Sequence, residues 1–267
     1  MPIRLDPTFR HRLAGASRPL AGIWACSGSP LVAEIVAGSG IDWVLVDMEH
    51  SPNGLTSVLG QLQAIAAYPA TPVVRVPIGD TVTIKQVLDL GAQNVLVPMV
   101  STADQARQLV SAVRYPPRGV RGVGSALARS ARWNRVDDYL TRADDHVSLF
   151  VQVETVDGVD AAGEIAAVDG IDGVFVGPSD LAASLGLLGQ QTHPDVVAAA
   201  RRAFAAVRAA GKPVGVNAFD PAAAQAYVDA GASFVLVGAD VALLARGSEA
   251  LAARWSSDAA DEERASY

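Results

Sequence analysis

Two stretches of the chain join a buried-looking apolar run to a terminal carboxylate: Leu149-Phe-Val-Gln-Val-Glu154 and Gly173-Val-Phe-Val-Gly-Pro-Ser-Asp180. As neighbouring strands of a parallel sheet they would lie about 4.7–4.9 Å apart. Oxygens at their ends could then share one hard divalent cation, whose ligand distances run roughly 2.0–2.6 Å. So few protein ligands would leave coordination positions for a substrate, which points to chemistry rather than to a structural metal. Gln152 stands two residues before Glu154, so both side chains share one face of the strand.

Other apolar runs also end in polar residues: Trp24, Asp47 with Glu49 and His50, Arg75, and Asn217. Asp47 and His50, three apart, could form a general-base unit in which the carboxylate orients the imidazole or a water. Arg75 could place a fixed positive charge on an oxyanion. Two blander readings stand beside these. Asp180, before Leu181, could be a helix N-cap, and Arg75 could be consumed in an ion pair with Asp47 or Glu49. Burying three charges in that way counts against the second.

The remaining reactive types mostly exclude. Only Lys85 and Lys212 are present, one in a helical stretch and one where a strand begins, so a Schiff-base lysine is not expected. No Gly-x-x-x-x-Gly-Lys-Ser/Thr loop supports nucleotide hydrolysis. Cys26 has no adjacent His or Lys and reads as a small buried hydrophobe. His11, His146 and His193 fall in helical or helix-flanking polar segments. The one cysteine excludes an intramolecular disulfide, and a net charge of −7 argues against a nucleic-acid or anionic-membrane surface. With no apolar signal core and no span long enough for a bilayer, a soluble cytoplasmic protein is the expectation.

A repeated pattern must position these groups: Gly40-Ile-Asp-Trp-Val-Leu-Val-Asp, Gly91-Ala-Gln-Asn-Val-Leu-Val-Pro, Gly170-Ile-Asp-Gly-Val-Phe-Val-Gly and Gly231-Ala-Ser-Phe-Val-Leu-Val-Gly. Each glycine closes an Ala-rich helical segment and opens a β-branched run, as helix C-caps feeding buried parallel strands do. Further runs at 20–25, 72–76, 146–153 and 212–216 make eight strands. Amphipathic helices are predicted at 55–67, 102–113, 159–167, 194–210 and 221–230. Eight strand–helix units in a chain of 267 residues predict a (β/α)8 TIM barrel spanning 1–256, with 257–267 an acidic mobile tail. The alternative, an open doubly wound sheet, lacks a Gly-x-Gly-x-x-Gly turn after its first strand. In a barrel the active site lies at the C-terminal strand ends, where the polar set falls. The long connection 115–140 is expected to build part of that site.

Several of these motifs together resemble the HpcH/HpaI class II pyruvate aldolases, over residues 20–255. They are Val46-Asp-Met-Glu-His-Ser-Pro-Asn53, Val73-Val-Arg-Val-Pro77, Arg114-Tyr-Pro-Pro-Arg-Gly-Val-Arg-Gly-Val123, Val151-Gln-Val-Glu-Thr155 and Val174-Phe-Val-Gly-Pro-Ser-Asp-Leu181. The stretch 124–134 is most similar to the 4-hydroxy-2-oxoheptanedioate aldolase branch, with the 2-dehydro-3-deoxyglucarate aldolase branch the nearest relative. The resemblance implies a barrel of the phosphoenolpyruvate/pyruvate-binding type and metal-dependent cleavage of 4-hydroxy-2-oxo acids to pyruvate and an aldehyde, as in aromatic compound catabolism. It implies Glu154 and Asp180 as ligands of Mg²⁺, Mn²⁺ or Co²⁺, on which pyruvate chelates and its enolate is stabilised. Backbone amides at Ser179 and Asp180 would hold the carboxylate. Arg75 would hold the enolate oxygen, and Gln152 would contact pyruvate. His50 with Asp47 would move the proton of the 4-hydroxyl, and Trp24 would line the aldehyde side. Asn217 departs from the apolar residue, usually leucine, of the family pattern, and a polar group there implies hydroxylated aldehydes. A homohexamer of paired trimers with an exchanged last helix is also implied. An oxaloacetate decarboxylase or citramalyl-type lyase would need no His50–Asp47 dyad, and a non-catalytic 2-oxo-acid binding protein would bind pyruvate without turnover.

Overall fold

A computed structural model describes residues 3–256; the tail expected at 257–267 lies outside the described residues. The chain forms α1 (Phe9–Ala14), β1 (Leu20–Ala25), α2 (Pro30–Ala37), β2 (Trp43–Asp47), α3 (Leu55–Ile65), β3 (Thr71–Arg75), α4 (Thr81–Asp89), β4 (Asn94–Val97) and α5 (Ala103–Val113). It continues with β5 (Ser148–Val153), α6 (Val156–Asp160), α7 (Ala162–Ala167), β6 (Gly173–Val176), α8 (Pro178–Ser184), α9 (Pro194–Ala209), β7 (Val214–Asn217), α10 (Pro221–Asp229), β8 (Phe234–Ala239) and α11 (Asp240–Trp255). All eight strands pair in parallel and in chain order, and β8 closes on β1. The expected (β/α)8 barrel is therefore the fold, and the open-sheet alternative is excluded. The helix expected at 159–167 is instead the two short helices α6 and α7. Among the described residues no helix is long and apolar enough to cross a membrane.

The repeated glycine works as its spacing implies. Gly40, Gly91, Gly170 and Gly231 all take positive φ, between 91° and 105°, turning the chain from helix end to strand start without a Cβ penalty. Alternate strand residues then point outward, where Val, Ile and Ala pack under the helices, and inward, where Trp43, Leu45, Val73, Leu96, Phe150, Phe175, Phe234 and Leu236 fill the barrel. The inner layer is aromatic, and glycine makes room for it. A Cβ at Gly22, Gly173 or Gly215 would lie 2.2–2.6 Å from the rings of Trp43, Phe150 and Phe234 respectively.

The N-terminal end of the barrel is closed by α1. Phe9 is fully buried, with ring centroids 5.0 Å from Trp43, 5.3 Å from Phe150 and 5.4 Å from Phe234. A buried phenyl contributes about 1.5–3 kcal/mol. Asn94 Oδ1 accepts the Phe9 amide at 2.6 Å and so ties the plug to the start of β4. Lys212 donates to the Ile171 carbonyl at this same end, remote from the polar strand tips.

The connection 115–140 departs from expectation. None of its residues lines the cavities at the C-terminal strand ends. Arg121 is fully buried, its guanidinium 4.6 Å over the Tyr115 ring, bonded to the Tyr139 hydroxyl and paired with Asp89 at the end of α4. Arg129 donates to the Leu90 carbonyl. These anchors draw the segment onto α4 and away from the chain's own site. α11 is the other unusual element. Of its sixteen residues only Asp240 is buried, while Leu243, Leu244, Leu251 and Trp255 are exposed.

Candidate active site

The inward periodicity that fills the barrel with rings ends, at the C-terminal rim, in polar residues: Trp24 on β1, Asp47 on β2, Arg75 on β3, Gln152 and Glu154 at β5, and Asn217 on β7. Trp24, Asp47, Arg75 and Asn217 border a cavity of about 860 Å³ that also reaches Ser179, Cys26, His50 and Phe219; Gln152 and Asp180 line an adjoining space, and Glu154 lies behind it, bonded to Gln152. Eight of the ten residues selected by type and spacing line these two spaces, and Glu49 and Glu154 adjoin them through Arg75 and Gln152.

Arg75 is 5 % exposed and held from three sides. Its Nε donates to Asp47 Oδ1 at 2.8 Å, its Nη1 pairs with Glu49 Oε2 at 2.8 Å, and its Cζ lies 4.3 Å over the Trp24 ring. The ion pairing set aside on the ground of burying three charges is therefore present, and it involves both carboxylates. The register makes it unavoidable, because Asp47 and Arg75 are directly paired across β2 and β3. One face of the guanidinium and its Nη2 end remain to meet a ligand.

The Asp47–His50 dyad is not formed as expected. Asp47 Oδ2 accepts the backbone amide of His50 at 3.3 Å, and Oδ1 accepts that of Glu49. With Arg75 this fills Oδ1 and leaves one lone pair on Oδ2; among the described residues no hydrogen bond joins Asp47 to the His50 ring, and Asp47 shapes the turn instead. The carboxylate nearest the ring is Glu49, its Oε2 3.8 Å from His50 Nε2, and the His50 side chain is 65 % exposed at the mouth. Burial pushes the Glu49 carboxyl above its usual range, Arg75 opposes the push, and Asp47 and Asp180 add to it. Asn53, in the same turn, is buried and donates to the Ala25 and Asp47 carbonyls, locking the tips of β1 and β2 together. Asp240 does likewise between β8 and β1, accepting the amides of Cys26 and Ser27.

Glu154 lies just beyond β5 and is 2 % exposed. Its Oε1 accepts the Met99 amide at 2.7 Å, from a residue held at φ 58°, and its Oε2 accepts from Gln152 Nε2. It has no ion-pair partner among the described residues. Burial pushes its carboxyl up to about 7, against the two hydrogen bonds, and the charges of Asp180 and Glu49 add to the rise. Asp180 is exposed in the first turn of α8, whose N-cap is Gly177; the N-cap reading of Asp180 is therefore not what forms. Pro178 has no N–H, and the first-turn amides of Ser179 and Asp180 have no acceptor within the helix.

Among the described residues no three His, Cys, Asp or Glu side chains form a metal cage. Glu154 and Asp180 nevertheless offer the oxygen donors that a hard cation takes, water or substrate completing its coordination. A buried carboxylate that prefers its proton, beside a second carboxylate and without a cationic partner, is the electrostatic situation a divalent ion relieves. Gly177 keeps the space, since a Cβ there would lie 2.7 Å from Glu154 Oε2 and 3.1 Å from Gln152 Nε2. We expect Gly177→Ala to weaken Mn²⁺ affinity at least about tenfold with little change in thermal midpoint. Wild-type affinity by calorimetry would show that Glu154 does not use this space.

Cys26 carries no activated thiol: burial, with Asp47 and Asp240 nearby, pushes it up to about 12. Trp24 does not simply face the cavity, because its Nε1 donates to Asn217 Oδ1 at 2.7 Å. Met99, Asn53, Asp240 and Gly177 carry no site signal in the sequence. Glu49 belongs to the polar set read from the sequence, and the structure gives it a specific partner in Arg75.

The family model described as HpcH/HpaI aldolase/citrate lyase matches residues 20–247. A hydroxypyruvate/pyruvate aldolase of Deinococcus radiodurans is 56 % identical over 98 % of this chain and 95 % of its own length. A 4-hydroxy-2-oxo-heptane-1,7-dioate aldolase of Salmonella dublin is 53 % identical over 91 % of this chain and 92 % of its own. Among solved structures, an HpcH/HpaI aldolase/citrate lyase family protein of Burkholderia cenocepacia J2315 superposes with a TM-score of 0.88 at 44 % identity, covering 92 % of this chain and 98 % of that one.

Proposed function

As the chain belongs to the HpcH/HpaI aldolase/citrate lyase family and is an aldolase, we propose that it reversibly cleaves 4-hydroxy-2-oxo acids to pyruvate and an aldehyde, with a divalent cation at Glu154 and Asp180. The observation that carries this reading is the fixed guanidinium of Arg75 lining one space with Gln152 and Asp180, while the buried carboxylate of Glu154, without an ion-pair partner among the described residues, is held directly behind Gln152. When bound, the cation supplies the Lewis acidity that polarises the 2-oxo group.

The chain's own groups do the rest. The Ser179 and Asp180 amides receive the substrate carboxylate. Arg75, pinned by Asp47, Glu49 and Trp24, sets its Nη2 end on the oxygen that gains charge as the carbon–carbon bond breaks. Because its orientation is fixed beforehand, little reorganisation is needed when charge develops. His50, exposed at the mouth beside Glu49, takes the 4-hydroxyl proton in cleavage and returns it in condensation. Gln152, 2 % exposed with its Oε1 unpartnered, faces the pyruvate end.

The test is incubation with Mg²⁺ or Mn²⁺, pyruvate or hydroxypyruvate as donor, and a panel of aldehydes that includes succinic semialdehyde and hydroxyacetaldehyde. Formation of 4-hydroxy-2-oxo acids is expected. Oxaloacetate decarboxylation with no condensation product would replace this reading by the decarboxylase one.

The same reading extends to a cytoplasmic homo-oligomer of the hexameric type. What supports the assembly is the unburied apolar side of α11, matched by exposed Leu31 and Ile35 on α2. A monomer mass in sedimentation would refute it.

A further inference from the structure

We propose that Asn217 is a positioning residue for Arg75, acting through Trp24 from the opposite side of the barrel mouth. The inference rests on the enolate role assigned to Arg75 above. β7 lies four strands from β3 in either direction around the closed barrel, so Asn217 does not reach Arg75 directly. The indole of Trp24 bridges the gap. Its Nε1 donates to Asn217 Oδ1 at 2.7 Å, its edge packs on Phe175 with centroids 6.4 Å apart and planes at 82°, and the Arg75 Cζ sits 4.3 Å from a ring centroid.

Each contact restrains a different freedom. Phe175 limits translation of the indole, Asn217 limits its rotation, and the fixed ring face then limits tilting of the guanidinium toward Asp47 and Glu49. A buried indole N–H needs an acceptor, and Trp24 is 8 % exposed. In this chain, where Asn217 Oδ1 is the acceptor of that N–H, an apolar residue at 217 would leave it unpaired, so the ring would turn to find water and Arg75 would lose its platform. The polar character of position 217 thus serves the pyruvate half of the reaction. This differs from the aldehyde preference expected from sequence.

Exchange of the pyruvate methyl protons in D2O with Mg²⁺ and no aldehyde separates the two assignments. Asn217→Leu and Trp24→Phe should each lower kcat for exchange about tenfold. The pyruvate KM should change less than about threefold, because the guanidinium acts on charge that develops only in the transition state. The double variant should be no slower than the slower single one, since both substitutions delete the same hydrogen bond. A generally loosened barrel would raise KM and lower the thermal midpoint, and would not give this kcat-only, non-additive pattern. Wild-type exchange in Asn217→Leu, or losses that multiply in the double variant, would overturn the inference. No exchange in the wild-type enzyme would instead remove the enolate reading on which it stands.

Discussion

Arg75→Ala should nearly abolish both aldol cleavage and pyruvate α-proton exchange, with a loss in kcat of at least about 10²–10³-fold. The expectation follows from the geometry, because the Arg75 guanidinium, at the tip of β3, has its orientation fixed on three sides. The substitution also strands Asp47 and Glu49. Removing one partner of a buried ion pair costs about 3–5 kcal/mol, so a fall in thermal midpoint accompanies the kinetic loss. Arg75→Lys separates the two effects. It keeps a positive charge for the carboxylates but loses the planar fork and much of the stacking on Trp24, so most of the stability should return while exchange stays at least about tenfold slow. Near-normal exchange in folded Arg75→Ala would remove the residue from the chemistry.

Chelation is the second large effect. Treatment with a strong chelator should silence cleavage, and Mn²⁺ or Mg²⁺ should restore it; indifference to the chelator would end the metal reading. The pH dependence is more specific. Burial lifts the Glu154 carboxyl from 4.5 to about 7, so without a cation the folded state holds a proton that the unfolded chain releases. That stabilisation is complete below about pH 4.5 and is lost as pH rises through about 7. A cation competes with the same proton, so its binding strengthens as pH rises. The Mn²⁺-induced rise in thermal midpoint should be larger at pH 8 than at pH 6, and Glu154→Gln should remove the difference. Equal shifts at both pH values would place the cation elsewhere.

The parts of this molecule legible from sequence are those whose signals are local. A glycine followed by a β-branched run marks each turn into β2, β4, β6 and β8, and the polar tip of a strand marks the rim. What escaped notice depends on register and on distant partners. That Asp47 serves Arg75 and two backbone amides, rather than the His50 ring, follows from the direct pairing of β2 with β3. Met99 offers its amide to Glu154 only because its backbone takes φ 58°, a conformation its residue type does not announce. The segment 115–140 points toward the site in the sequence only by its length. Its buried Arg121 instead answers to Tyr115 and Tyr139 at the two ends of the segment and to Asp89 at the end of α4.

The aromatic floor has an evolutionary corollary. Gly22 with Trp43, Gly173 with Phe150 and Gly215 with Phe234 each share a volume that holds one large ring and no second side chain. Neither member of such a pair can drift alone: enlarging the glycine evicts the ring, and shrinking the ring beside a glycine leaves a void. Across diverged descendants these positions should change in concert, small with large exchanging sides, and a barrel redesigned at one of them must be redesigned at its mate.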